Sequence, residues 1–308
     1  MRLGNTRFVR ASLASVALAS LGGCANHMAL LDPLGPIGAE EKTLILIAFA
    51  LMLLVVVPVF FMTFWFAWKY RASNRAATYA PKWDSSRKIE AVVWAVPALI
   101  VAALGALTWV SSHALDPYKP IDPALKPIRI EVVALNWKWL FIYPDLGIAT
   151  VNRVVFPAGV PVSFRITSDT VMNSFFIPQL GSQIYAMAGM QTRLHLLADH
   201  PGVYKGLNTQ FSGAGFSSQH FQAVAMSTQG FDAWVRQVRA SPRHLDEAAF
   251  RRLEVPSQHN PVTYFSAVKP RLFNDTIRKY LPNPPPPAGR DASARMGGGN
   301  SQRRSTRI

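Results

Sequence analysis

Residues 44–68 read LILIAFALMLLVVVPVFFMTFWFAW and contain 25 residues without one charged side chain. At about 1.5 Å per residue, a helix of this length exceeds the ~30 Å hydrocarbon core of a bilayer. Pro58 is tolerated inside such a helix when neighbouring helices cover the loosened backbone. Buried helices of a soluble core are rarely this long and this free of charge. The segment therefore predicts a first transmembrane helix.

A second apolar segment, residues 89–112, is interrupted only by Glu90 near its start, and it predicts a second transmembrane helix. The connection between the two segments, residues 69–88, carries six basic side chains and one acid, namely Lys69, Arg71, Arg75, Lys82, Arg87, Lys88 and Asp84. By the positive-inside rule this loop is cytoplasmic. Residues 24–43 and everything after the second helix then face the opposite side of the membrane.

The N-terminus has the order of a bacterial secretory signal. Three arginines without an acid precede an apolar run, and Leu21-Gly22-Gly23-Cys24 follows it. The leucine three positions before a cysteine, with small residues between, resembles a bacterial lipobox. We therefore expect residues 1–23 to be a lipoprotein signal peptide and Cys24 to be lipidated, although a plain signal peptide followed by an idle cysteine is the alternative.

The chain after the second helix begins with a predicted β domain at residues 113–230. Three stretches alternate with period two, at 128–132, 162–166 and 193–196, and turns containing glycine and proline separate them. Several short strands at this spacing favour a sandwich or a small barrel.

The last part of the chain has a different pattern of apolar residues. Trp234, Val235 and Val238 have helical spacing, and the same spacing returns near Phe250, which predicts a helical arm over residues 231–281. Residues 282–308 are rich in proline, glycine and arginine and predict a disordered basic tail.

The charge of the chain is strongly positive. The formal net charge is +15, and the segment after Val110 holds 22 Lys and Arg against 12 Asp and Glu. An exported domain rarely meets nucleic acid, so we expect no nucleic-acid partner. Anionic lipid headgroups and partner subunits are better candidates.

Residues that could bind a metal are scarce in the predicted β domain. His195 and His200 have no second ligand at metal spacing, and Cys24, the only cysteine of the chain, lies outside the domain. A copper electron-transfer site needs thiolate sulfur together with imidazole. The sequence therefore predicts no metal centre in this chain.

The order of these parts resembles subunit II of the haem-copper oxidases, from Cys24 to about Tyr280, and most of all its ubiquinol-oxidising cytochrome bo branch. The resemblance is carried by the motif Trp137-Lys138-Trp139 in a predicted early strand, by VMNSFFIP at 171–178, by residues 181–196 and by GAGFS at 213–217. It implies a membrane α plus all-β chain: a two-helix transmembrane hairpin, a cupredoxin-like β-sandwich and a C-terminal helical arm.

The cytochrome c oxidase branch of this family binds a dinuclear copper centre in the cupredoxin domain. The resemblance places Asn173 and Phe216 at its two histidines, Asn208 and Ser212 at its two cysteines, Gln210 at its glutamate and Gln219 at its methionine. Serine and amide groups are hard ligands that bind copper weakly, and the phenylalanine side chain cannot bind a metal. We therefore expect copper binding to be lost.

The resemblance then implies a subunit of a proton-pumping terminal ubiquinol oxidase, in the inner membrane of a bacterium. Ubiquinol would give electrons directly to subunit I, which holds the haem and copper. This chain would serve assembly and stability beside subunits I, III and IV. A cytochrome c or menaquinol oxidase subunit is one alternative, and a free-standing membrane-anchored lipoprotein that acts as a binding module is another.

Three residues invite specific roles. By position alone, Glu90 fits two roles equally well. It can be a solvated charge that interacts favourably with the helix dipole, or a carboxylate whose burial is costly and therefore indicates a function. In the family, a carboxylate at this helix start lies at the mouth of a proton-uptake path, which favours the second role.

Without copper to relay electrons, Trp137 and Trp139 are expected to be core residues and candidates for the subunit interface.

Overall fold

A computed structural model describes residues 28–78 and 80–282 of the chain. Two long helices come first, a β-sandwich follows, and a small arm ends the described part. The lipidation prediction at Cys24 and the predicted tail after residue 282 lie outside the described residues.

The two predicted membrane helices are present. Helix α1 (Pro36–Lys69) has 34 residues and helix α2 (Arg87–Ala114) has 28, which gives lengths of about 51 and 42 Å. Their most apolar windows bury nothing inside the chain. Because such windows are unfavourable in water, lipid or a partner must cover them.

Helix α1 begins eight residues before the uncharged span, since Pro36 sets the helical φ of its first turn. This first turn is attached to the β domain. Gly38 N donates to Leu180 O (3.2 Å), and Leu34 N, just before the helix, donates to Gln179 O (2.8 Å). A Cβ at Gly35 would lie 2.3 Å from Leu197 O, so only glycine permits this approach. The outer end of α1 is therefore joined to the sandwich by backbone contacts.

Ten strands follow the helices. They are β1 (Ile128–Leu135), β2 (Lys138–Tyr143), β3 (Ile148–Val151), β4 (Arg153–Pro157), β5 (Val162–Ser168), β6 (Asn173–Ile177), β7 (Gly181–Ala186), β8 (Thr192–Leu196), β9 (Gly202–Leu207) and β10 (His220–Met226). One sheet has the order β12-β3-β2-β1-β5-β8, where β12 (Thr263–Phe265) comes from the arm, and the other has the order β4-β10-β9-β6-β7. Strand β1 runs parallel to β5, and β10 runs parallel to β4. The predicted cupredoxin-like sandwich is confirmed.

Aromatic rings fill the space between the two sheets. Phe175 of β6 stacks on Phe221 of β10 at 5.0 Å between ring centroids. From the other sheet, Phe164 and Trp139 contact the Phe175 ring at 5.1 and 5.5 Å between centroids. All four side chains are almost fully buried. Such rings contribute beyond their buried area, so the core is held by packing.

The arm contains helices α3 (Thr228–Arg239), α4 (Glu247–Glu254) and α5 (Leu272–Arg278), together with strands β11 (His244–Leu245), β12 and β13 (Ala267–Val268). The helical spacing did not predict the strands, because they are only two or three residues long. Strand β12 pairs with β3, and Phe250, Phe265 and Phe273 of the arm lie in one buried cluster with residues of β1, β2 and β3. The arm therefore covers the outer face of the six-stranded sheet.

Candidate functional site

Three loops meet at one end of the sandwich, namely the β1–β2 turn (136–137), the β5–β6 loop (169–172) and the β9–β10 loop (208–219). The β9–β10 loop carries five of the six predicted copper positions, and the sixth, Asn173, follows the β5–β6 loop as the first residue of β6. The structure brings four of these residues into direct contact at the start of β6, the end of β9 and the start of β10, namely Asn173, Asn208, Ser212 and Gln219. We call these four residues the amide cluster.

Asn208 is the centre of the amide cluster. Its Nδ2 donates to Asn173 Oδ1 (2.8 Å), Gln219 Oε1 (3.0 Å) and Ser212 Oγ (3.2 Å). Ser212 Oγ donates in turn to Gln219 Oε1 (2.9 Å). Asn173, Asn208 and Gln219 are no more than 5 % exposed. These contacts form a closed hydrogen-bond network inside the tip of the domain.

The polar atoms of the network that face away from its centre also have hydrogen-bond partners. Asn208 Oδ1 accepts from Ser174 N (2.8 Å) and from Gln210 N (3.0 Å). Asn173 Nδ2 donates to Val171 O (2.8 Å). Because each buried amide has partners at both ends, the cluster does not depend on a ligand to complete its hydrogen bonds.

This donor set does not fit a dinuclear copper centre. The nitrogen of Asn208 that faces the other members is an N–H donor and offers no lone pair to a metal. The remaining groups are amide and hydroxyl oxygens, which are hard ligands, whereas copper electron-transfer sites use thiolate and imidazole. Across 28–78 and 80–282, no group of three or more His, Cys, Asp or Glu is placed to hold a metal ion.

Gln210 and Phe216 lie at the edge of the amide cluster. Gln210 contributes its backbone N–H, and Phe216 opens a short 3₁₀ turn (Phe216–Ser218). The Phe216 ring contacts Phe211, 5.7 Å away, which is 72 % exposed. The site where the resemblance places a second histidine is therefore an apolar surface.

Trp137 lies in the turn between β1 and β2, which corrects its prediction as a strand residue. Its φ of 62° is left-handed, a conformation that a bulky residue rarely adopts. The indole Nε1 donates to Ser212 O (3.0 Å), and a Cβ at Gly215 would lie 2.3 Å from the ring. The half-buried ring thus covers the loop that carries Ser212.

Trp139 is fully buried and contacts Phe175 and Phe221, each at 5.5 Å between ring centroids. The interface prediction is therefore wrong for Trp139, because its side chain has no surface to offer a partner. Period-two alternation explains the difference, since only Trp139 belongs to the strand and faces the core. Trp137 remains a predicted interface residue.

The loops that hold the amide cluster also carry exposed apolar side chains. Val171 is 56 % exposed and Met172 is 39 % exposed, and they directly precede Asn173 in the chain. Together with Trp137, Phe211 and Phe216 they form a set that we call the apolar rim. An apolar group of this kind at a domain tip is typical of a protein contact.

Lys138 is a buried residue that the sequence reasoning missed. Its Nζ donates to Leu253 O (2.8 Å), Val255 O (2.8 Å) and Ser257 Oγ (2.6 Å), and burial lowers the pKa of the amine. The ammonium group therefore caps the C-terminal end of helix α4. A lysine between two tryptophans at the start of a strand was the available signal.

A second contact of the arm reaches the tip through Lys279. Its Nζ donates to both oxygens of Asp169 (2.9 and 3.2 Å) and to Glu254 Oε1 (2.9 Å). The Asp169 carboxylate is almost fully buried, and this burial raises its pKa. The arm therefore fixes the β5–β6 loop that carries Val171 and Met172.

Glu90 is distant from the amide cluster. It lies in the first turn of α2 and is exposed in the isolated chain. The 24 residues from Glu90 to the end of the helix span about 36 Å, so Glu90 is at the opposite end of the membrane helices from the sandwich. The structure places the two predicted functional regions at opposite ends of the long helices.

Residues 146–226 match the family described as the cytochrome c oxidase subunit II periplasmic domain, and residues 239–283 match the COX aromatic rich motif. A cytochrome bo(3) ubiquinol oxidase subunit 2 of Pseudomonas putida is 58 % identical over 84 % of this chain and 82 % of its own length. Its counterpart in Pseudomonas aeruginosa is 56 % identical, with 84 % and 78 % covered. A ubiquinol oxidase subunit 2 of Acetobacter aceti is 52 % identical over 84 % of each chain.

Proposed function

Because the chain belongs to the ubiquinol oxidase subunit II family of the haem-copper oxidases, we propose that it is the copper-free subunit II of a proton-pumping terminal oxidase that oxidises ubiquinol and reduces oxygen to water. The observation that carries this proposal is the amide cluster. At the tip where the cytochrome c oxidase branch holds copper, this chain has a hydrogen-bond network of amides and a hydroxyl.

Electrons then enter the complex without passing through this chain. A soluble cytochrome needs a redox centre at the domain surface, and the amide cluster offers no group that accepts an electron. Ubiquinol dissolved in the bilayer gives its electrons directly to subunit I, which holds the haem and the copper. The cupredoxin-like domain acts as a scaffold, and its stability comes from the aromatic core.

The assembly role of the chain rests on two surfaces. The apolar faces of α1 and α2 are exposed and pack on subunit I inside the membrane, and the apolar rim contacts its outer surface. Subunits III and IV complete the oxidase. The rim is fixed in shape because Lys279 holds the β5–β6 loop and Trp137 covers the β9–β10 loop.

Glu90 contributes to proton uptake. Its carboxylate lies at the cytoplasmic end of α2, next to the basic loop, where protons enter the complex. An ionisable side chain at the edge of an apolar helix is costly unless it has a use or stays in water. This position suits a group that passes protons toward subunit I.

The topology follows from the same features. The chain crosses the inner membrane twice, and its N-terminus and sandwich face the periplasm. The signal peptide over residues 1–23 directs export, and lipidation of Cys24 adds an anchor to the two helices.

The test is to purify the native complex and compare electron donors. We expect oxygen uptake with ubiquinol and none with reduced cytochrome c, and no spectroscopic signal of a dinuclear copper centre. Copper analysis of the isolated subunit II should find no stoichiometric metal. A dinuclear copper signal that is lost from Asn208→Ala but kept in Gln210→Ala would contradict the proposal.

A further inference from the structure

A polar pocket on the arm has no part in the proposed function. Its volume is about 450 Å³, and it lies between the strand β11, the helix α4 and the strand β12. Arg243 and His244 line one wall, Arg252 lines another, and Leu253 and Phe265 contribute apolar surface. We call it the arginine pocket.

The positive charge of the arginine pocket is not neutralised. No Asp or Glu is among its lining residues, and across the described parts of the chain the guanidinium groups of Arg243 and Arg252 have neither an ion pair nor a hydrogen bond. In contrast, the neighbouring Arg251 is paired with Glu247. Helix α4 therefore directs one arginine to a carboxylate and leaves the next one free.

The acids nearest to the pocket along the chain have other partners. Asp246 caps α4 by accepting from Ala249 N (2.7 Å). Glu247 accepts from Lys269 (2.7 Å), and Glu254 accepts from Lys279 (2.9 Å). An anion that enters the pocket meets free cations without displacing an internal ion pair.

The walls of the pocket are rigid although their arginine side chains are free. The backbone O of Arg243 accepts from Ser266 N (2.9 Å) and from Ser266 Oγ (3.1 Å), and His244 pairs with Ala267 in the two-stranded sheet. Phe265 is 6 % exposed and belongs to the cluster under the arm. Arg243 and Arg252 thus line one pocket from backbones that regular hydrogen bonding holds in place.

We propose that the arginine pocket binds a phosphate ester. Two planar guanidinium groups suit the oxygens of a phosphate, which they can bind in a bidentate manner. The volume lies within the range of small-ligand sites and exceeds that of a bare phosphate, and Leu253 and Phe265 offer apolar surface to a carbon portion. The phosphate ester comes either from a soluble metabolite or from a phospholipid headgroup.

The experiment uses the intact oxidase complex in a phosphate-free detergent. Titration calorimetry with glycerol 3-phosphate tests the soluble source, and glycerol is the neutral control. Phosphorus analysis of the lipid that stays bound after washing tests the lipid source. The variant R243Q/R252Q removes both pocket arginines, and R236Q/R251Q removes the same charge from exposed positions outside the pocket.

We expect R243Q/R252Q to lose at least about tenfold in affinity for glycerol 3-phosphate, or to lose retained phospholipid, because hydrogen bonds from charged guanidinium groups to phosphate oxygens are stronger than those from neutral amides. R236Q/R251Q should match the wild type. Either loss supports the site and identifies its source. Equal losses in both variants, or neither binding nor retained lipid in the wild type, would overturn it.

Discussion

At the scale of single residues, four of the predicted copper positions form a structural hydrogen-bond network at the tip of the domain. The Asn208 side chain donates three hydrogen bonds through Nδ2 and accepts three through Oδ1, all of them inside the tip. A buried amide with this many partners rigidifies its surroundings, because the loss of one member leaves the others unsatisfied. The amide cluster therefore holds the loops in the arrangement that the apolar rim requires.

Asn208→Ala should destabilise the sandwich without changing its chemistry. The change leaves Asn173 Oδ1 and the Ser174 N–H without their partner, at a cost of about 2 kcal/mol or more. Thermal unfolding should show a lower midpoint, while ubiquinol oxidation per assembled complex stays at the wild-type rate. Gln210→Ala is the control, because Gln210 contributes only its backbone N–H to the cluster. Equal midpoints for both variants would contradict the structural role.

Trp137→Ala should weaken the attachment of this chain to the complex. The half-buried indole covers the Ser212 loop and contributes to the apolar rim, and large aromatic residues contribute strongly to interfaces. We expect subunit II to be lost during detergent purification, as measured by its ratio to haem. Val203→Ala is the control, since Val203 is 66 % exposed but lies outside the rim. Full retention of subunit II in Trp137→Ala would exclude Trp137 from the interface.

At the scale of elements, the sequence predicted the large parts and missed the short ones. Residues 44–68 and 89–112 were predictable because membrane helices require long uncharged runs, and 128–132 because β1 alternates with period two. Strand β12 has only three residues, and it exists because it pairs with β3, more than a hundred residues earlier. Such long-range pairing leaves no local pattern.

The candidate site was predictable in composition but not in geometry. The resemblance supplied Asn173, Asn208, Ser212 and Gln219, but their mutual hydrogen bonds depend on how three loops meet. The left-handed turn at Trp137 also escaped prediction, because a tryptophan with positive φ is rare and its close approach to the distant Gly215 leaves no local pattern.

Lys138→Met should detach the arm from the sheet. Lys138 caps the C-terminal end of α4, and its loss leaves Leu253 O and Val255 O without a partner, at a cost of about 1–3 kcal/mol each. Limited proteolysis should cut the arm faster than in the wild type. Lys205→Met is the control, because Lys205 is exposed on β9. The role of Lys138 would be refuted by cleavage at equal rates.

The start of α4 should respond to acid through Glu247. Hydrogen bonds from Lys269, and then from Arg251, lower the pKa of this carboxyl below its usual 4.5. A lowered folded pKa means that the stabilisation is present above pH 4.5 and is lost as the pH falls through the folded pKa. The unfolding midpoint of Glu247→Gln should lie below that of the wild type at pH 7. The two midpoints should converge under acid conditions, and a constant gap would contradict this assignment.

At the scale of the whole molecule, two helices long enough to cross a membrane connect Glu90 and the basic loop to the sandwich. The outer end of α1 is joined to the sandwich through Leu34 and Gly38, so the domain cannot rotate freely on the helices. The apolar rim is fixed by the arm and the amide cluster at the tip of the sandwich. Glu90 lies about 36 Å along α2 from the end of that helix that precedes the sandwich. Under the proposed function, a contact of the apolar rim with subunit I would therefore also set the position of Glu90 relative to that subunit.

Glu90→Ala should slow oxygen reduction several-fold in a complex that assembles normally. A carboxylate that passes protons is needed in every turnover, so its loss lowers the rate of ubiquinol-dependent oxygen uptake. Glu90→Asp should keep more of the activity, because the ionisable group remains. Asp84→Asn removes a carboxylate from the loop that precedes α2 and should leave the rate unchanged.

The alternative role of Glu90 predicts a different result. A carboxylate that only favours the N-terminal end of the helix dipole contributes about 0.3–1 kcal/mol to helix stability. Its loss would lower the unfolding midpoint slightly and leave turnover unchanged. Haem content per subunit II is measured together with the rate of oxygen uptake. A defect in assembly lowers both values, whereas the loss of a proton-passing group lowers only the rate. A normal haem ratio with normal turnover in Glu90→Ala would remove Glu90 from the proton path.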